Sequence, residues 1–380
     1  MPRPPTSSKV APDQPRLWDI FCHVVDNFGD VGVLWRLSAA LAARGQQVRL
    51  WIDDASALAW MAPGARAGEW PGVQVMPWSD AVHASVCSAL PCADAWIEGF
   101  GCDIPSSFVA HFAQRVDAVA DAARPVWINL EYLSAEAYVE RNHGLPSPVL
   151  SGPAQGWTKY FFYPGFTEGS GGLLRNAPAD AAAHNASPIT ASAAGPRQVS
   201  LFCYEPAALA ALLTSLAQSE RPTRLLVAHG RTAQAVHDVW GHTRTRLEGR
   251  LQVEYLPALR QTQFDALLAR CDLNMVRGED SLVQALWAGK PFIWQAYPQT
   301  DSAHETKLEA FLDWMQADSA VRDVHRAWNG FARPAEVAHW DQTLTDADGR
   351  WATQVVHARQ RLILQDDLPT RLLKLVGEKR

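Results

Sequence analysis

Apolar runs and amphipathic stretches alternate along the N-terminal part of the chain in the order expected of β-α-β units. The segment LWDIFCHVV, residues 17–25, is almost continuously apolar, which is typical of a parallel strand covered on both faces. Apolar residues from Val31 to Leu41 then recur at helical spacing, and Gly45 ends this pattern. The apolar run 47–52 predicts the next strand, so the chain opens a doubly wound parallel sheet.

Further apolar runs predict three more strands before the alternation stops near residue 143. These strands are predicted at 73–77, 94–98 and 125–129. Residues 144–175 are rich in glycine, proline and aromatic residues, and we expect an ordered loop or a cleft wall there. Residues 17–175 are therefore predicted to form one Rossmann-like domain.

The alternation begins again after an alanine-rich, patternless stretch, residues 176–197, which predicts a linker. Five apolar runs follow, at 199–204, 224–229, 252–255, 272–276 and 292–295. They predict a second Rossmann-like domain over residues 198–355. We expect the C-terminal helix, residues 356–380, to pack back on the first domain, with a break or kink near Pro369.

The predicted fold class is therefore α/β, with two Rossmann-like domains. Binding sites in open α/β sheets lie at the carboxyl ends of the strands, so domains that face each other gather these loops in the cleft between them. The first 16 residues contain five prolines and no apolar segment, and we expect a disordered tail and no secretion signal.

Composition narrows the functional classes. Lysine and arginine number 34 against 40 acidic residues, and a net charge of -6 argues against a nucleic-acid-binding protein. No apolar run approaches the roughly 18 residues of a membrane span. The six cysteines include no CxxC pair, so we expect reduced thiols, no structural zinc and a cytoplasmic location.

The clearest chemical signal is RGEDS, residues 277–281, where a predicted strand runs into a helix. Free N–H groups at the helix N-terminus and the guanidinium of Arg277 form an anion site, and Ser281 adds a hydroxyl. The order of polar turn, helix, glycine, proline and strand is that of nucleotide-sugar transferases, which favours diphosphate binding. An N-capped helix with a surface salt bridge is the alternative.

A second candidate is DNFGDVG, residues 26–32, which follows the first strand. Asp26 and Asp30 lie where loops face a cleft, and the glycines allow tight turns. Two carboxylates can hold a cation or accept a proton, but the same residues can also cap the helix and a turn. The motif is not GxGxxG, so the dinucleotide fingerprint is absent.

Gln261 and Phe264 lie where the preceding β-α turn meets a nucleobase in such folds. An aromatic face can stack on the base and a glutamine can bond its edge, although a lone phenylalanine is more often part of a core. No HExxH motif and no DxD-type carboxylate pair near the expected donor phosphates is present, so we expect no metal site. Three histidines have no partner at metal or triad spacing and are interpreted as structural: His23, His143 and His229.

Three long motifs carry a specific resemblance. They are FCHVVDNFGDVGVLWRL from Phe21, KYFFYPGF from Lys159 and RGEDSLVQALWAGKPFIWQAYPQ from Arg277. With them, the chain resembles the EarP family of protein-arginine rhamnosyltransferases over nearly its whole length after residue 16. This resemblance implies a GT-B glycosyltransferase fold, in which the two Rossmann-like domains face each other across the cleft.

The resemblance also implies a reaction. Rhamnose would pass with inversion from dTDP-β-L-rhamnose to an arginine in the N-terminal domain of translation elongation factor P (EF-P). The product helps ribosomes pass polyproline stretches. No cofactor is implied beyond this co-substrate. Two rival interpretations are a GT-B enzyme with another nucleotide sugar or a non-protein acceptor, and a non-catalytic Rossmann-like binding protein.

Site residues follow from the resemblance by matching positions. The essential acids are Asp26, Asp30 and Glu279. The donor-nucleotide contacts are Tyr204, Gln261, Phe264, Arg277, Asp280 and Ser281. The loop on the acceptor side is Asn27, Phe28 and Gly29. We expect Asp30 to be the general base, because a guanidinium with a pKa above about 12 must lose its proton as the new bond forms. Asp26 would orient the acceptor, Glu279 would bind a sugar or ribose hydroxyl, and Arg277 would stabilise the leaving dTDP without a metal.

Overall fold

Two separate sheets form in the computed structural model, one in each half of the chain. The residues that the structure describes are 15–25, 28–119, 123–175, 195–243, 250–298, 303–333, 340–346 and 348–380.

The N-terminal sheet contains seven strands within the described residues. They are β1 (Leu17–Cys22), β2 (Gln47–Ile52), β3 (Val73–Pro77), β4 (Ala95–Gly99), β5 (Val126–Leu130), β6 (Pro146–Pro148) and β7 (Thr158–Phe162). Their spatial order is β3-β2-β1-β4-β5-β7-β6, and of these pairs β6–β7 is antiparallel. Along β1, Trp18 and Ile20 enter one core and Phe21 the other, which explains its continuous apolar run.

Helices cover both faces of this sheet. They are α1 (Gly29–Ala42), α2 (Leu58–Met61), α3 (Ala84–Ala89), α4 (Ser106–Asp117) and α5 (Tyr138–Asn142). Leu34 and Leu37 of α1 are fully buried on one face, and Phe108 and Phe112 of α4 are fully buried on the other. This is the doubly wound arrangement predicted from the sequence. It places the N-terminus of α1 at the carboxyl end of β1.

The structure corrects the prediction for the aromatic stretch within residues 144–175. We expected a loop or cleft wall, but Thr158–Phe162 forms β7, which pairs in parallel with β5, and β6 pairs with its outer edge. The residues TKYFF are β-branched or aromatic for the most part and suit a pleated surface. Phe162 is 1% exposed in the same core as β1, so this edge is part of the folded sheet.

The C-terminal sheet is parallel throughout its described strands. These are β8 (Arg197–Leu201), β9 (Thr223–Val227), β10 (Leu251–Tyr255), β11 (Leu273–Arg277) and β12 (Phe292–Gln295), in the order β10-β9-β8-β11-β12. The helices around it are α6 (Leu209–Gln218), α7 (Arg231–Thr243), α8 (Gln261–Arg270) and α9 (Gly278–Ala288). Each strand overlaps a run predicted from the sequence. Arg277 is the last residue of β11, so its side chain starts at the carboxyl edge of the sheet.

Two predicted boundaries shift by a few residues. Arg16, placed in the tail 1–16, donates its backbone N–H to Gln46 and belongs to the folded domain. Arg197, placed in the linker 176–197, is 2% exposed and begins β8. The rest of the predicted tail, residues 1–14, and of the linker, residues 176–194, lies outside the described residues.

The last helices follow the second sheet and then return to the first. They are α10 (Ala303–Met315), α11 (Ser319–Trp328), α12 (Trp340–Thr345), α13 (Arg350–Ile363) and α14 (Leu368–Lys379). Val355 and Leu362 of α13 are buried in the C-terminal core, whereas Leu372 and Val376 of α14 are buried in the N-terminal core. The predicted division at residues 355 and 356 is therefore wrong, because it cuts through α13.

The chain crosses between the two halves at residues 364–367. The side chain of Asp367 accepts a hydrogen bond from the backbone N–H of Thr370, which caps α14. Pro369 lies in the first turn of α14, where its missing N–H costs no hydrogen bond. The proline thus begins a helix, and the predicted break comes before it.

Candidate active site

A cavity that opens to solvent lies between the two sheets, and the empty space within it and at its mouth is about 730 Å³. The N-terminal half contributes Phe28, Gly29, Arg36, Trp60 and Met61 to its wall. The C-terminal half contributes Phe202, Ala228, His229, Pro257, Leu259, Gln261, Phe264, Arg277, Gly278, Glu279, Asp280 and Ser281. The RGEDS segment and the turn after β10 therefore meet in one cleft, as their positions at strand ends predicted.

Arg277 lines this cavity, and two aromatic rings hold its side chain. Its guanidinium carbon lies 4.4 Å from the ring centroids of both Phe202 and Tyr204, and its Nη1 donates to the carbonyl of Cys203 at 3.3 Å. The side chain is only 6% exposed. Cation–π contacts and burial fix this cation in place beside the N-terminus of α9.

That N-terminus offers backbone N–H groups beside Arg277. Gly278 has a φ of 67°, a left-handed conformation that glycine adopts without strain, and it turns the chain from β11 directly into α9. The side chain of Arg277, the N-cap residue, makes no capping hydrogen bond to the helix. Ser281 lies in the first turn and also lines the cavity. The cation, the helix N-terminus and the hydroxyl together suit a diphosphate.

Phe264 forms an aromatic wall on the same side. Its ring meets Phe202 edge to face, with centroids 5.7 Å apart. Tyr204, by contrast, is 3% exposed and lies beneath Arg277 outside the cavity wall. In this structure Tyr204 therefore supports the cation, and its direct contact with a nucleotide stays a prediction.

Arg36 of α1 joins the two halves beside the cavity. Its Nη1 and Nη2 donate to Asp265 at 2.8 and 2.7 Å, and its Nε lies 2.8 Å from Oδ1 of Asp280. Close by, the side chain of Gln261 donates to the carbonyl of Gly32 at 3.0 Å. Asp280 and Gln261 were both expected to contact the nucleotide, and here their polar groups bond to α1.

Glu279 also bridges the two halves. Its Oε2 accepts from the backbone N–H of Leu133 at 2.8 Å, and its Oε1 lies 2.5 Å from Nζ of Lys307 on α10. Its side chain is 18% exposed and lines the cavity. These two partners fix the orientation of the Glu279 carboxylate, and the Lys307 cation offsets its charge.

Asp30 lies in the first turn of α1 and is 4% exposed. Its Oδ2 accepts from the backbone N–H of Val25 at 2.8 Å, which ties the helix to the loop after β1. Phe28 and Gly29, the neighbouring residues, line the cavity. Asp26 and Asn27 lie outside the described residues. The structure thus places Asp30 directly after two residues that line the cavity, although Asp30 itself is not part of the lining, and its role as a base stays a prediction.

Three aromatic rings meet across the cleft at another part of the wall. His229 of the C-terminal half lies 4.9 Å from Trp60 and 5.9 Å from Phe28, measured between ring centroids. Burial, and then the charge of Arg277, lower the pKa of His229 below its usual value. His229, which the sequence led us to interpret as structural, thus contributes its ring to the cavity wall, and that interpretation stays a prediction.

Sequence reasoning missed Arg36, Trp60 and Phe202 altogether. Arg36 lies in the first of the three motifs, but nothing there marked it as an interdomain residue, and Trp60 lies on a four-residue helix that the apolar pattern did not predict. Phe202 follows β8 at the carboxyl edge of the second sheet, and that position alone could have identified it.

The comparison with protein families decides between the candidate classes. The family model described as "Elongation-Factor P (EF-P) rhamnosyltransferase EarP" matches residues 18–377. The chain belongs to the EarP family. The resemblance drawn from three motifs is thereby confirmed, and the EarP match includes both sheets and the return of α14.

Curated EarP relatives agree with this membership. The protein-arginine rhamnosyltransferase of Pseudomonas putida is 42% identical over 361 residues, covering 86% of this chain and 91% of that protein. That of Neisseria meningitidis serogroup B is 36% identical over 390 residues, covering 94% and 96%.

Solved structures confirm the GT-B fold. A structure describing EarP-mediated arginine glycosylation of EF-P aligns with a TM-score of 0.55 at 28% identity, over 95% of this chain and 98% of that chain. MurG of Acinetobacter baumannii aligns at 0.53 with 13% identity, over 96% and 100%. This second likeness shows the fold alone.

Within its described residues, this EarP-family chain has neither a cluster of metal-ligating side chains nor a membrane-spanning helix. No three His, Cys, Asp or Glu side chains in the described ranges stand close enough together to hold a metal ion. Among the helices of those ranges, none combines the length and the apolar character needed to cross a membrane.

Proposed function

We propose that this chain transfers rhamnose from dTDP-β-L-rhamnose to an arginine side chain in the N-terminal domain of EF-P, with inversion and without a metal. The observation that carries the proposal is the convergence of Phe264, Arg277 and the N-terminus of α9 in one interdomain cavity of an EarP-family member. The relatives are named protein-arginine rhamnosyltransferases, which supports an arginine of a protein as the acceptor. The description of the family model supports EF-P as that protein.

The donor half of the cavity fits a nucleoside diphosphate sugar. The exposed face of Phe264 can stack on the thymine ring, an interaction worth about 1–3 kcal/mol per base in single-strand binders. The diphosphate then lies against Arg277 and the first turn of α9, where Ser281 adds a hydroxyl. As the bond from the sugar to the phosphate breaks, these fixed groups stabilise the growing negative charge on dTDP.

The acceptor half supplies the base. A guanidinium keeps its proton at neutral pH, so the proton must leave as the carbon–nitrogen bond forms. Asp30 lies at the start of α1, across the cleft from α9, and its hydrogen bond with Val25 orients the carboxylate. We assign Asp30 to receive the proton, and Asp26 to orient the guanidinium. Attack from the side opposite to dTDP gives inversion at the sugar carbon.

Glu279 contributes between these two halves. Each carboxylate oxygen has more than one lone pair, so Glu279 can accept a rhamnose hydroxyl while it keeps its bonds to Leu133 and Lys307. The salt bridge with Lys307 offsets its charge near the diphosphate. A ligand in this place would be held against both halves of the enzyme at once.

Transfer should continue in EDTA, because a fixed cation and a helix N-terminus already face the phosphates. The rate of EF-P modification is measured with and without chelator, and again with added Mg²⁺. A rate that falls on chelation and returns with Mg²⁺ would remove the metal-independent part of the proposal.

The donor and the stereochemistry are tested on the product. The enzyme is incubated with EF-P and with dTDP-β-L-rhamnose or UDP-β-L-rhamnose, and the anomeric configuration of the modified arginine is read by NMR. We expect preference for the dTDP donor and an α-linked rhamnose. A β-linked product would exclude the single-displacement mechanism.

A further inference from the structure

One buried arginine links the three helices that carry the proposed chemistry. Arg36 on α1 bonds to Asp265 on α8 and to Asp280 on α9, and we call these three residues the interdomain clamp. The side chains are 8%, 6% and 15% exposed, so the clamp is largely shielded from water. Shielded ion pairs are screened little by salt and depend strongly on geometry.

The geometry of the clamp depends on the planar guanidinium of Arg36, whose three nitrogens bond two carboxylates. Two nitrogens of Arg36 form a bidentate pair with Asp265, and the third, Nε, reaches Asp280. Burial opposes the charge on Arg36, but the carboxylates of Asp280 and Asp265 more than offset it and raise the pKa of the guanidinium. A planar cation with fixed donors defines distance and angle between helices in a way that a lysine cannot.

The clamp lies between the two halves of the proposed reaction. Helix α1 begins at Gly29 and carries Asp30 in its first turn, while α9 begins at Gly278 beside Arg277. Helix α8 carries Phe264, the residue proposed to stack on the nucleobase. The partners of Arg36 are therefore on the two helices that hold the donor, and Arg36 itself is on the helix that holds the base.

We propose that Arg36 is a positioning residue for glycosyl transfer. By holding α1 against α8 and α9, it sets the separation between the Asp30 carboxylate and the donor phosphates. This inference rests on the proposed function for its catalytic consequence, whereas the clamp's effect on domain closure does not depend on it.

Loss of Arg36 should open the cleft. Asp265 and Asp280 lie close to each other because both bond the same guanidinium. Burial raises the pKa of Asp280, Arg36 opposes this rise, and the neighbouring Asp265 carboxylate adds to it. Without the arginine, two buried carboxylates on the C-terminal half lose their counter-ion from the N-terminal half. Water must enter to solvate them, and the halves separate.

The test compares three variants of the clamp with one control variant. The clamp variants are Arg36→Gln, Asp265→Asn and the double variant Arg36→Gln/Asp265→Asn, and the control is Arg44→Gln. Arg44 follows α1 and pairs with Asp367 at 2.5 Å within the N-terminal half, so its loss removes an ion pair that does not cross the cleft. Two quantities are measured for each protein. One is the radius of gyration in solution with and without saturating dTDP, and the other is kcat for EF-P modification beside the Kd for dTDP.

For Arg36→Gln we expect a larger radius of gyration than wild type and a kcat lower by roughly 100-fold, the order of loss expected for a misplacement of about 1 Å. The Kd for dTDP should change by less than about threefold, because Arg277 and Phe264 are untouched. Asp265→Asn should have a smaller effect of the same kind, and the double variant should lose less than the product of the two single losses. Arg44→Gln should match wild type in both measurements.

Several results would overturn the proposal. An unchanged radius of gyration in Arg36→Gln would show that the clamp does not hold the halves together. A kcat equal to that of wild type would remove Arg36 from positioning, and a loss confined to dTDP affinity would make it a donor contact. If wild type itself modified no EF-P, the proposed function would fail, and the scattering measurement would still decide whether the clamp closes the cleft.

Discussion

Carboxylates differ in role within this cleft because each is held by a different partner. Asp280 is paired with Arg36, Glu279 with Lys307 and Leu133, and Asp30 with the backbone of its own loop. The Asp280–Arg36 and Glu279–Leu133 bonds cross between the halves, so these two acids contribute to closure as well as to the proposed binding. Asp30 lies in the first turn of α1, on the proposed acceptor side of the cleft. This position suits proton transfer to and from the acceptor arginine.

Asp30→Asn should abolish transfer while the fold and dTDP binding persist. The amide keeps an oxygen for the Val25 N–H but cannot accept a proton, and a general base contributes roughly 100- to 10,000-fold. Turnover is measured with EF-P, and dTDP affinity by calorimetry.

Asp53→Asn is the matched control for this change. Asp53 follows β2 and accepts the backbone N–H of Val24 at 3.0 Å, in the loop that Asp30 also bonds, but no role in transfer is assigned to it. Its variant should retain turnover close to wild type. Near-normal turnover of Asp30→Asn, or an equal loss in both variants, would remove Asp30 from the role of base.

Several site residues could be predicted because a strand end and a helix start fix where a side chain goes. Arg277, Ser281 and Phe264 line the cavity for this reason. The partners of Asp280 and Gln261 could not be predicted, because they lie on α1, more than 200 residues away in sequence. No local pattern specifies how two domains close upon each other, and that contact decides where these polar groups bond.

At the scale of secondary-structure elements, α14 is the part of the C-terminus that belongs to the first domain. It fills the face of the N-terminal sheet that α1 also covers, through side chains such as Leu372 and Val376. The sequence predicted a return of the chain but not its place, because α13 and α14 read as one amphipathic stretch. The Asp367 cap separates them.

Leu372→Ala should lower the free energy of unfolding by about 2–5 kcal/mol, the range for truncating a fully buried leucine. Because the cavity lies elsewhere, dTDP affinity at low temperature should not change. The measurement is urea unfolding followed by circular dichroism. Leu364→Ala is the control: this leucine is 86% exposed in the crossing segment, and its variant should stay within about 0.5 kcal/mol of wild type. Equal stabilities of the two variants would contradict the packing of α14.

Helix α11 carries a pH-sensitive contribution to stability. His325 is fully buried against Phe292 and Trp351, its Nδ1–H donates to the carbonyl of Val321, and burial lowers its pKa to about 4. The unfolded chain takes up the proton near pH 6.5, so stability is full above that pH and is lost as the pH falls toward about 4.

At pH 5 this loss should reach about 2 kcal/mol. The free energy of unfolding is measured at about pH 7 and pH 5 for wild type and for His325→Asn, and the two pH differences are compared. The variant should show the smaller difference by about that amount, whatever its absolute stability. Identical pH differences would show that His325 titrates normally or not at all in this range.

At the scale of the whole molecule, the candidate active site forms where the two domains close on each other, because each domain contributes different residues to it. The donor groups stand on α8 and α9 and the proposed base on α1, and the contacts of Arg36, Gln261 and Glu279 bring these helices together. The doubly wound halves and their facing strand ends could be read from hydrophobic periodicity. Strand β7, which lies between β5 and β6, could not be predicted, because flanking glycine and proline residues hid it within an aromatic segment.

The most direct test of the account is the intact mass of EF-P after incubation with this protein and dTDP-β-L-rhamnose. We predict an increase equal to one deoxyhexosyl group, located by tandem mass spectrometry on one arginine of the N-terminal domain. EF-P with that arginine replaced by lysine should keep its mass. An unchanged mass of wild-type EF-P, obtained with a preparation that binds dTDP by calorimetry, would contradict the assignment of this cleft to arginine rhamnosylation.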